Sequence, residues 1–458
     1  MTNTCQLRFA RADYDRLHAH LFPGDHDEHG AVLLAGIAEK DGQPAFLVRE
    51  IHLAKEGSDY VEGKVGYRAL HPSFIHKMIT RARDEKLAYL AVHNHHSDLC
   101  VGFSHIDLDS HELGYPALLQ IARGMPVGAL VFGQRSIQSD VWLKDGSRLS
   151  LDHARIVGQS VQMLYPSSRT SKDINDDAYE RQLRMFGFDG QKRLNECHVA
   201  ILGLGGIGSL VAELLARLGV GRFTLIDDDV VEVSNLSRIV GADRVDAEHA
   251  ARKIDVAERV ILQANPSTVV VKIADDIAKE SVAKTLAATD YLFLAADSMR
   301  ARLVFNAVVH QYLVPGVQLG SKVRADSEEL LLDVMSANRP VRPGSGCLWC
   351  NGLIDMSSLA KEAKTEEERK EQAYGVEEPN PSVITLNAIA AAHAVNDFLL
   401  DFLELRSDAG IVQYEHFHHL SRKRMLVEPR KDETCPECSS GEGRFARGDG
   451  LNLPTLEG

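Results

Sequence analysis

The chain has 458 residues, with 51 lysines and arginines against 65 aspartates and glutamates, which gives a net charge of −14. At roughly 150 residues per domain this length predicts two or three domains, and a hydrophobic content of 44% allows each to bury a core. Disordered and fibrous classes are therefore excluded. The acidic balance argues against nonspecific binding of nucleic acid, which needs a basic surface.

The sequence has none of the features of a membrane or secreted protein. No apolar run reaches the ~20 residues of a membrane span, and the charged N-terminal region lacks the apolar stretch of a signal peptide. Seven cysteines are too few for a disulfide scaffold of this length. We therefore expect a soluble, cytoplasmic protein with no membrane or nucleic-acid partner.

Residues 1–150 are predicted to form a first domain of mixed α/β class. Short apolar runs typical of strands are separated by helical patterns, such as the one over residues 74–86. The predicted strands cover residues 31–34, 45–48, 87–92 and 127–132.

A candidate metal site follows the strand at residues 87–92. His93 and His95 are two residues apart at the strand end, so both side chains can point to one side. With Asp107 they supply three ligands and leave a fourth position open, which is typical of a hydrolytic zinc site. Hydrolysis also needs a separate carboxylate to take a proton, and Glu28, just before the first of these strands, is our choice.

The order of these residues resembles the JAB/MPN (JAMM) metalloprotease family, whose signature is a distant Glu, an HxH pair and an SxxD motif. The resemblance implies a zinc isopeptidase domain in which Glu28 is the general base and Ser104 stabilises the oxyanion. It also implies that His93, His95 and Asp107 bind the catalytic zinc.

Two features depart from the pattern of that family. His96 stands where the family has Pro, and the loop from the HxH pair to Ser104 is one residue longer than in the eukaryotic isopeptidases. Ser104 and Asp107 also have the spacing of a helix capping pair, so a purely structural role for them stays open.

A polar segment at residues 165–172 separates the two halves of the chain, and we place the linker at residues 151–178. From residue 179 to 440 the βαβ alternation predicts a doubly wound, Rossmann-like sheet. A charged segment at residues 361–372 is predicted to be an exposed helix or a loop, and residues 441–458 a flexible tail. The predicted strands cover residues 199–202, 223–226, 269–273 and 291–294.

The strand at residues 199–202 runs into a glycine-rich loop that a helix follows. Glycine is needed there because the backbone must turn tightly and approach a phosphate, which the helix N–H groups can bind. Asp227 ends the next strand, where a carboxylate can bond to ribose hydroxyls. These features predict a dinucleotide or an adenine nucleotide equally well. The loop glycines are Gly203, Gly205, Gly206 and Gly208.

Later residues favour ATP over a redox dinucleotide. Asn235, Arg238 and Lys253 are groups suited to phosphate, and Asp297 lies just beyond a strand end. Attack on the α-phosphate needs cations to neutralise its oxygens, and Mg²⁺ held by a carboxylate to steady the leaving pyrophosphate. An oxidoreductase therefore ranks last among the interpretations.

This half of the chain resembles the adenylyltransferase family of ThiF, MoeB and the ubiquitin-activating enzymes. The resemblance implies that the loop glycines line the phosphates of ATP and that Asp227 holds the ribose. It implies that Asn235, Arg238 and Lys253 contact the triphosphate, and that Asp297 binds Mg²⁺.

Residues 179–182 resemble the entry motif of the same family, whose arginine reaches the γ-phosphate of a neighbouring protomer. The corresponding residue here is Arg181, so the resemblance implies a homodimer. On local spacing alone, a solvated arginine on a helix is an equally good interpretation. Ile239 stands where the family has Gln after its arginine.

Four cysteines predict a structural zinc site. They form two CxxC pairs that flank the end of the second domain, and two such pairs complete a closed tetrahedron of thiolates. The ligands are Cys347, Cys350, Cys435 and Cys438. No cysteine lies between the pairs, where thioester-forming relatives carry their nucleophile. We therefore expect an acyl-adenylate that passes directly to a partner or to a hydroxyl such as that of Ser357, Ser358 or Ser382.

Together the resemblances imply a bifunctional enzyme of a bacterial ubiquitin-like pathway. One half adenylates the C-terminus of a ubiquitin-like protein with ATP, and the zinc half processes or deconjugates that protein. A conjugating-enzyme-like protein is a further expected partner. The alternatives are activation of a sulfur carrier for cofactor biosynthesis, with an accessory JAB domain, and an assembly protein with a degenerate metal half.

Overall fold

A computed structural model describes residues 3–40, 42–61, 69–168, 177–325, 330–362, 381–406 and 412–456. The chain divides into two compact units. The first comprises Met1–Thr170, Gln311–Leu313 and Ser439–Asn452, and the second comprises Ser171–His310, Val314–Cys438 and Leu453–Gly458. Among the helices of the described residues, none is both long enough and apolar enough to cross a membrane.

The first unit is a closed, mixed sheet with helices packed against it. Its strands are β1 Thr4–Ala10, β2 Gly30–Lys40, β3 Gln43–Leu53, β4 Ala88–Asn94, β5 Val127–Phe132, β6 Ile137–Trp142, β7 Arg148–Val157 and β8 Val161–Leu164. Its helices are α1 Arg11–Leu21, α2 Pro72–Asp84 and α3 His105–Ile121. The strand order is β1-β3-β2-β4-β5-β6-β7-β8, and β1 also pairs with β7, so the sheet closes on itself. All four strands and the helix predicted for this half are present.

The central strands of the first unit are buried on both faces. In β2, Leu33 belongs to one hydrophobic cluster and Leu34 to another. The second cluster includes Met78 and Ile79 of α2 and Tyr115 of α3, which cover that face. A strand with two buried faces has a continuous apolar sequence instead of an alternating one. The end of β4, which carries His93, therefore belongs to a sheet that is packed on both faces.

The first unit extends beyond the expected boundary at residue 150. The strands β7 and β8 occupy residues that the sequence had placed in the linker, and the unit continues to Thr170. Leu149, Leu151, Ala154 and Ile156 are buried, because β7 pairs with both β1 and β6. The polar segment at residues 165–172 marks the true end of the unit, although residues 169–172 lie outside the described part.

The C-terminal segment is packed as far as residue 456, the last that the structure describes, which corrects the expectation of a flexible tail at residues 441–458. Phe445 and Leu453 are 4% and 5% exposed, and Ala446 is fully buried. The N–H of Asp449 donates to the carbonyl of Ile37 at 2.8 Å. The glycines of this segment suggested looseness, but Gly448 allows a close backbone contact with β2, because a Cβ there would overlap the carbonyl of Ile37.

The second unit is a doubly wound sheet extended by antiparallel strands. Its strands are β9 His198–Leu202, β10 Arg222–Ile226, β11 Val269–Ile273, β12 Tyr291–Leu294, β13 Gly316–Ala325, β14 Leu331–Val341, β15 Tyr414–His418 and β16 Lys423–Val427. Its helices are α4 Glu180–Glu196, α5 Gly206–Arg217, α6 Arg244–Glu248, α7 Lys253–Ala264, α8 Glu280–Thr285, α9 Met299–Gln311, α10 Met356–Glu362 and α11 Ile384–Phe402. The part of the charged segment 361–372 beyond residue 362 lies outside the described residues.

The strand order of the second unit is β11-β10-β9-β12-β13-β14-β15-β16. The strands β9 to β13 are parallel where they pair, and β14 to β16 are antiparallel. The chain crosses from β11 on one side of β9 to β12 on the other, so the strand order reverses there. Ligands of such sheets bind at the carboxyl ends of the strands, at this reversal. The glycine-rich loop after β9 lies at that place.

Candidate functional site

Antiparallel pairing of β2 with β4 brings Glu28 to the candidate metal site of the first unit. The register of this pair, continued two residues beyond Gly30, sets Glu28 opposite His95. The N–H of His29 donates to Oδ1 of Asn94 at 2.6 Å and holds this extension together. As a result, Oε1 of Glu28 lies 3.8 Å from Nε2 of His95.

Three candidate ligands meet at the end of β4. Oδ2 of Asp107 lies 3.6 Å from Nε2 of His93 and 3.7 Å from Nε2 of His95. Ligands of a tetrahedral zinc ion are about 3.3–3.6 Å apart, so this spacing fits. Nε2 of His93 is buried and has no hydrogen-bond partner within the described part of the chain. Two imidazoles and a carboxylate therefore suit a metal ion here.

Asp107 belongs both to a helix capping box with Ser104 and to the cluster of candidate metal ligands with His93 and His95. Ser104 donates to Oδ2 of Asp107 from Oγ at 2.7 Å and from its N–H at 2.8 Å, and the two residues form a capping box at the start of α3. The same oxygen faces both imidazoles. Burial alone would raise the pKa of Asp107, but the nearby His93 ring and the bonds from Ser104 hold this pKa well below its usual range. The carboxylate is therefore ionised, as a metal ligand must be.

The neighbouring groups of this site are tuned by burial. Burial raises the pKa of Glu28, and the charges of His93 and His96 reduce the shift while that of Asp107 adds to it. Burial, together with the charge of His93, lowers the pKa of His95. A carboxyl group with a raised pKa is suited to proton transfer.

Three of the four loop glycines in the second unit are required by the protein itself. Gly203 has φ of +89°, a Cβ at Gly206 would overlap Nδ2 of Asn387, and a Cβ at Gly208 would overlap the carbonyl of Gly203. Gly205 differs, because a Cβ there would meet nothing within 4 Å. The space over Gly205, beside the first turn of α5, lets a phosphate approach the backbone.

Asp227 ties the end of β10 to this loop. Its Oδ2 accepts from the N–H of Leu204 at 2.6 Å, and its Oδ1 accepts from the N–H of Asp229 at 3.0 Å. Burial raises the pKa of Asp227, although the charge of Lys253 and these two bonds oppose the shift. Nζ of Lys253 lies 2.5 Å from Oδ2 of Asp229. The structure thus brings Asp227 and Lys253 into one group at the carboxyl end of β10.

Two other predicted phosphate ligands lie in the turn after β10. Asn235 is 6% exposed, and its Oδ1 accepts from the N–H of Glu232 at 3.3 Å. Nη1 of Arg238 donates to the carbonyl of Ser234 at 2.9 Å. The Cβ of Arg238 would be 3.4 Å from a Cβ at Gly206, so this arginine lies beside the loop. Asn235 closes its own turn, whereas Arg238 is placed next to the helix start.

Asp297 and Arg181 have exposed positions. Asp297 follows β12, the strand next to β9, and the N–H of the preceding Ala296 donates to the carbonyl of Leu202 at 2.9 Å. This bond fixes Asp297 at the same edge of the sheet as the glycine-rich loop. Arg181 is exposed in the first turn of α4.

The four zinc-candidate cysteines converge in the second unit. Their sulfur atoms are 3.4 Å apart for Cys347 and Cys350, 3.8 Å for Cys347 and Cys435, and 3.6 Å for Cys350 and Cys438. Thiolates of a tetrahedral zinc site, at 2.3 Å from the ion, are about 3.8 Å apart. Three of the four are buried, and Cys350 is half-buried. This donor set fits a closed structural site.

Two further residues, which were not predicted from the sequence, lie near the nucleotide loop. Asn387 of α11 is 1% exposed, lies against Gly206, and accepts from Ser321 at 3.1 Å. Arg302 of α9 is close enough to Asp297 for that carboxylate to act on its pKa, which burial lowers overall. The spacing of Arg302 five residues after Asp297 could have indicated a pair on one helix start. No sequence spacing could have indicated Asn387, because it is far along the chain from the glycine-rich loop that it contacts.

These features define a Rossmann-like nucleotide-binding class for the second unit. The sequence profile of the ThiF family matches residues 179–437, and the chain belongs to this family. The match supports the adenylation-type α/β fold of ThiF and MoeB.

Three curated relatives of Escherichia coli (strain K12) illustrate the similarity. Molybdopterin-synthase adenylyltransferase is 33% identical over 152 residues, which are 33% of this chain and 60% of that protein. tRNA threonylcarbamoyladenosine dehydratase is 34% identical over 138 residues, 30% of this chain and 51% of that protein. Sulfur carrier protein ThiS adenylyltransferase is 33% identical over 131 residues, 28% of this chain and 51% of that protein. The chain thus spans between about half and 60% of the length of these relatives.

Proposed function

We propose that the second unit is an ATP-dependent adenylyltransferase that activates the C-terminal carboxylate of a small carrier protein. The observation that carries this proposal is the open space over Gly205, surrounded by Arg238 and by the carboxyl ends of β10 and β12. Family membership supports it. The names of the relatives favour a sulfur carrier over a ubiquitin-like modifier, which remains the second candidate partner.

In this reaction a carboxylate oxygen attacks the α-phosphorus of ATP. A new P–O bond forms, the bond to the bridging oxygen breaks, and pyrophosphate leaves with its electrons. The cations Arg238 and Lys253 neutralise phosphate oxygens, and the N–H groups at Gly205 and the start of α5 bind phosphate. Asp297 would hold Mg²⁺, which steadies the leaving pyrophosphate. Arg181 would act in a homodimer, at the γ-phosphate of the neighbouring protomer.

Release of pyrophosphate tests this proposal directly. The full-length protein, ATP and Mg²⁺ are incubated with the sulfur carrier ThiS or with a ubiquitin-like protein, each with its native terminus and with one residue added. We expect pyrophosphate only with a native terminus. Asp297→Asn should reduce the rate by two orders of magnitude or more, because about 3–4 kcal/mol of charge stabilisation is lost. Exposed Asp228→Asn is the matched control, and release without any carrier would contradict the proposal.

A second candidate function belongs to the first unit, and a specific observation favours it. Glu28 lies beside two imidazoles and an ionised carboxylate at distances that suit a metal ion. We infer a zinc-dependent peptidase or isopeptidase, in which His93, His95 and Asp107 hold the metal. The zinc would polarise the scissile carbonyl and activate water. Glu28 would move the proton from the attacking water to the leaving amine.

Ser104 has a defined part in this second candidate. Its hydroxyl proton is directed to Asp107, so Ser104 first orients that ligand, and an oxyanion role needs the hydroxyl to turn. Cleavage of a carrier protein with a C-terminal extension tests the activity. Glu28→Gln should abolish cleavage while zinc content is retained, and neighbouring Asp27→Asn should change little. Equal cleavage by Glu28→Gln would exclude this role.

A further inference from the structure

The helix α3 carries Asp107, but few of its side chains are buried. Of residues 105–114, only His111 is buried, and the next buried residue of the helix is Tyr115. Ile106 and Leu113, the large apolar side chains at either end of this stretch, are 62% and 85% exposed. The packing of the N-terminal half of α3 against the sheet therefore depends mainly on His111.

A proline interrupts the hydrogen bonds between the two halves of α3. Pro116 lies inside the helix, and without an N–H it cannot donate to the carbonyl of Glu112. Helices bend most readily where such a bond is missing. The half that carries Asp107 therefore needs its own attachment to the sheet.

The imidazole of His111 bonds to a carboxylate that the sheet holds in place. Nδ1 of His111 lies 2.8 Å from Oδ2 of Asp140 on β6. Arg148 of β7 donates to both oxygens of Asp140, at 2.8 Å and 2.6 Å, and Nε1 of Trp142 donates to Oδ2 at 3.3 Å. Although burial alone would raise the pKa of Asp140, these bonds lower it to about 2. The carboxylate is therefore ionised and accepts, so His111 donates from Nδ1.

His111 is connected to two of the three candidate metal ligands. Asp107 precedes it by four residues, so the two side chains lie on one face of α3, about 6 Å apart along the helix axis. The rings of His111 and Phe103 meet edge to face, with their centroids 5.1 Å apart. Phe103 in turn packs against His93, with a centroid distance of 6.0 Å. A shift of His111 would therefore displace Asp107 and also the ring against which His93 packs.

We propose that His111 and Asp140 are positioning residues, which fix the N-terminal half of α3 to β6 and thereby hold Asp107 at the metal. A metal ligand must be kept within about 0.5 Å of its productive position. A hydrogen bond is directional, so the bond to Asp140 fixes the rotation of the helix. The stacking of His111 on Tyr115, at 4.6 Å within the same helix, cannot do so. This inference rests on the zinc site of the second candidate function and adds residues that determine its metal affinity.

Two substitutions separate the hydrogen bond of His111 from the packing of its ring. His111→Asn keeps an N–H donor near the place of Nδ1 but loses the ring, whereas His111→Phe keeps a ring but loses the donor. We expect His111→Phe to weaken zinc binding in the first unit about tenfold, the lower end of the range for groups that support a metal ligand. His111→Asn should bind zinc nearly as tightly as the wild type. Its melting temperature should fall more than that of His111→Phe, because a cavity replaces the ring.

Zinc content of the full-length protein is measured after dialysis against buffers of known free zinc concentration. The binding step that is absent in His93→Ala belongs to the first unit, so the midpoint of this step gives the affinity there. Thermal unfolding is recorded on the same samples. Leu113→Ala, at an exposed position of the same helix, is the matched control and should change neither the midpoint nor the melting temperature.

The proposal is overturned if His111→Phe binds zinc as tightly as the wild type. It is also overturned if His111→Asn weakens zinc binding more than His111→Phe, the order that a role in packing alone would give. If His111→Phe fails to fold, Asp140→Asn replaces it, with several-fold weaker zinc binding as the expected result and an unchanged affinity as the contrary one. A wild type that holds no zinc in the first unit overturns the proposal too. Failure of the peptidase alone is seen separately, because the wild type would then bind this zinc without cleaving the extended carrier.

Discussion

The two groups of candidate metal ligands differ in what surrounds them. The cysteine cluster supplies four sulfur atoms, three of them on buried residues, at separations of 3.4–3.8 Å. The cluster of the first unit supplies three atoms from half-buried residues, and Glu28 stands beside it. A complete tetrahedron leaves no place for a substrate, whereas three ligands with a neighbouring carboxylate do. The two donor sets thus suit a closed metal site in the second unit and a metal site with an open position in the first.

The largest expected effect comes from breaking the closed site. Cys438→Ser removes one of four thiolates, and we expect loss of the ion and a fall of several kcal/mol in the free energy of unfolding, because zinc binding is coupled to folding. Zinc content and thermal unfolding measure this. Cys100→Ser, at an exposed cysteine, should leave both unchanged. An unaltered melting temperature in Cys438→Ser would mean that the cluster is not a structural site.

The open site should behave in the opposite way. His93→Ala should lower the zinc affinity of the first unit more than about 100-fold, since even residues that only hydrogen-bond to a metal ligand are worth about 10–100-fold in affinity. The melting temperature should change little compared with Cys438→Ser, because the sheet is held by its apolar core. Zinc content after dialysis, set beside that of exposed His76→Ala, measures this. Retained zinc in His93→Ala would remove the distinction between the sites.

Two glycines of the nucleotide loop differ in the same way, because Gly206 is needed for stability and Gly205 is expected to matter for ATP binding. Gly206→Ala places a methyl group against Asn387, so we expect a loss of about 1–3 kcal/mol in unfolding free energy. Gly205→Ala meets open space and should leave stability unchanged, but it should weaken ATP binding because the methyl group occupies the phosphate position. Denaturant unfolding and nucleotide titration of both variants separate the two effects. Equal ATP affinity in Gly205→Ala and wild type would refute this role of the loop.

A smaller effect concerns acid stability of the first unit. Asp140 is buried, and although burial alone would raise its pKa, hydrogen bonds from His111, Arg148 and Trp142 lower this pKa to about 2. A depressed carboxyl pKa contributes stability above the usual value of 3.8, and this contribution is lost as the pH falls towards 2. Asp140→Asn should therefore cost about 1–2 kcal/mol at pH 7 and flatten the pH dependence below pH 4. Urea unfolding at pH 7 and pH 3 measures this, and exposed Asp109→Asn should retain the wild-type slope.

Local sequence was sufficient for features that depend on a few consecutive residues. The convergence of His93 and His95 could be predicted from their two-residue spacing at a strand end. The convergence of the cysteines could be predicted from the CxxC spacing, at which two thiolates can reach one ion. The glycine-rich loop is recognisable because a tight turn before a helix excludes larger side chains. Apolar runs predicted β2 to β5 and β9 to β12, whereas the other described strands of the two sheets were not predicted.

Other features depended on pairings between distant residues. The length of the first unit was missed because β7 carries buried polar residues, His153 and Arg155, among its apolar ones, and because its partner β1 is more than a hundred residues earlier. The C-terminal segment was wrongly predicted to be flexible because its glycines are typical of a loop, and its contact with β2 is not visible in the sequence.

The sequence by itself determined which groups can bind metal and phosphate, because those chemistries need particular residue types at short spacings. Only the tertiary structure decided which carboxylate stands beside the imidazoles, because Glu28 reaches His95 through the register of β2 and β4. It alone also joined Asn387 to Gly206, and His111 to Asp140. Hydrogen-bond register and packing fix such distant pairs, and neither is encoded in the residues next to them.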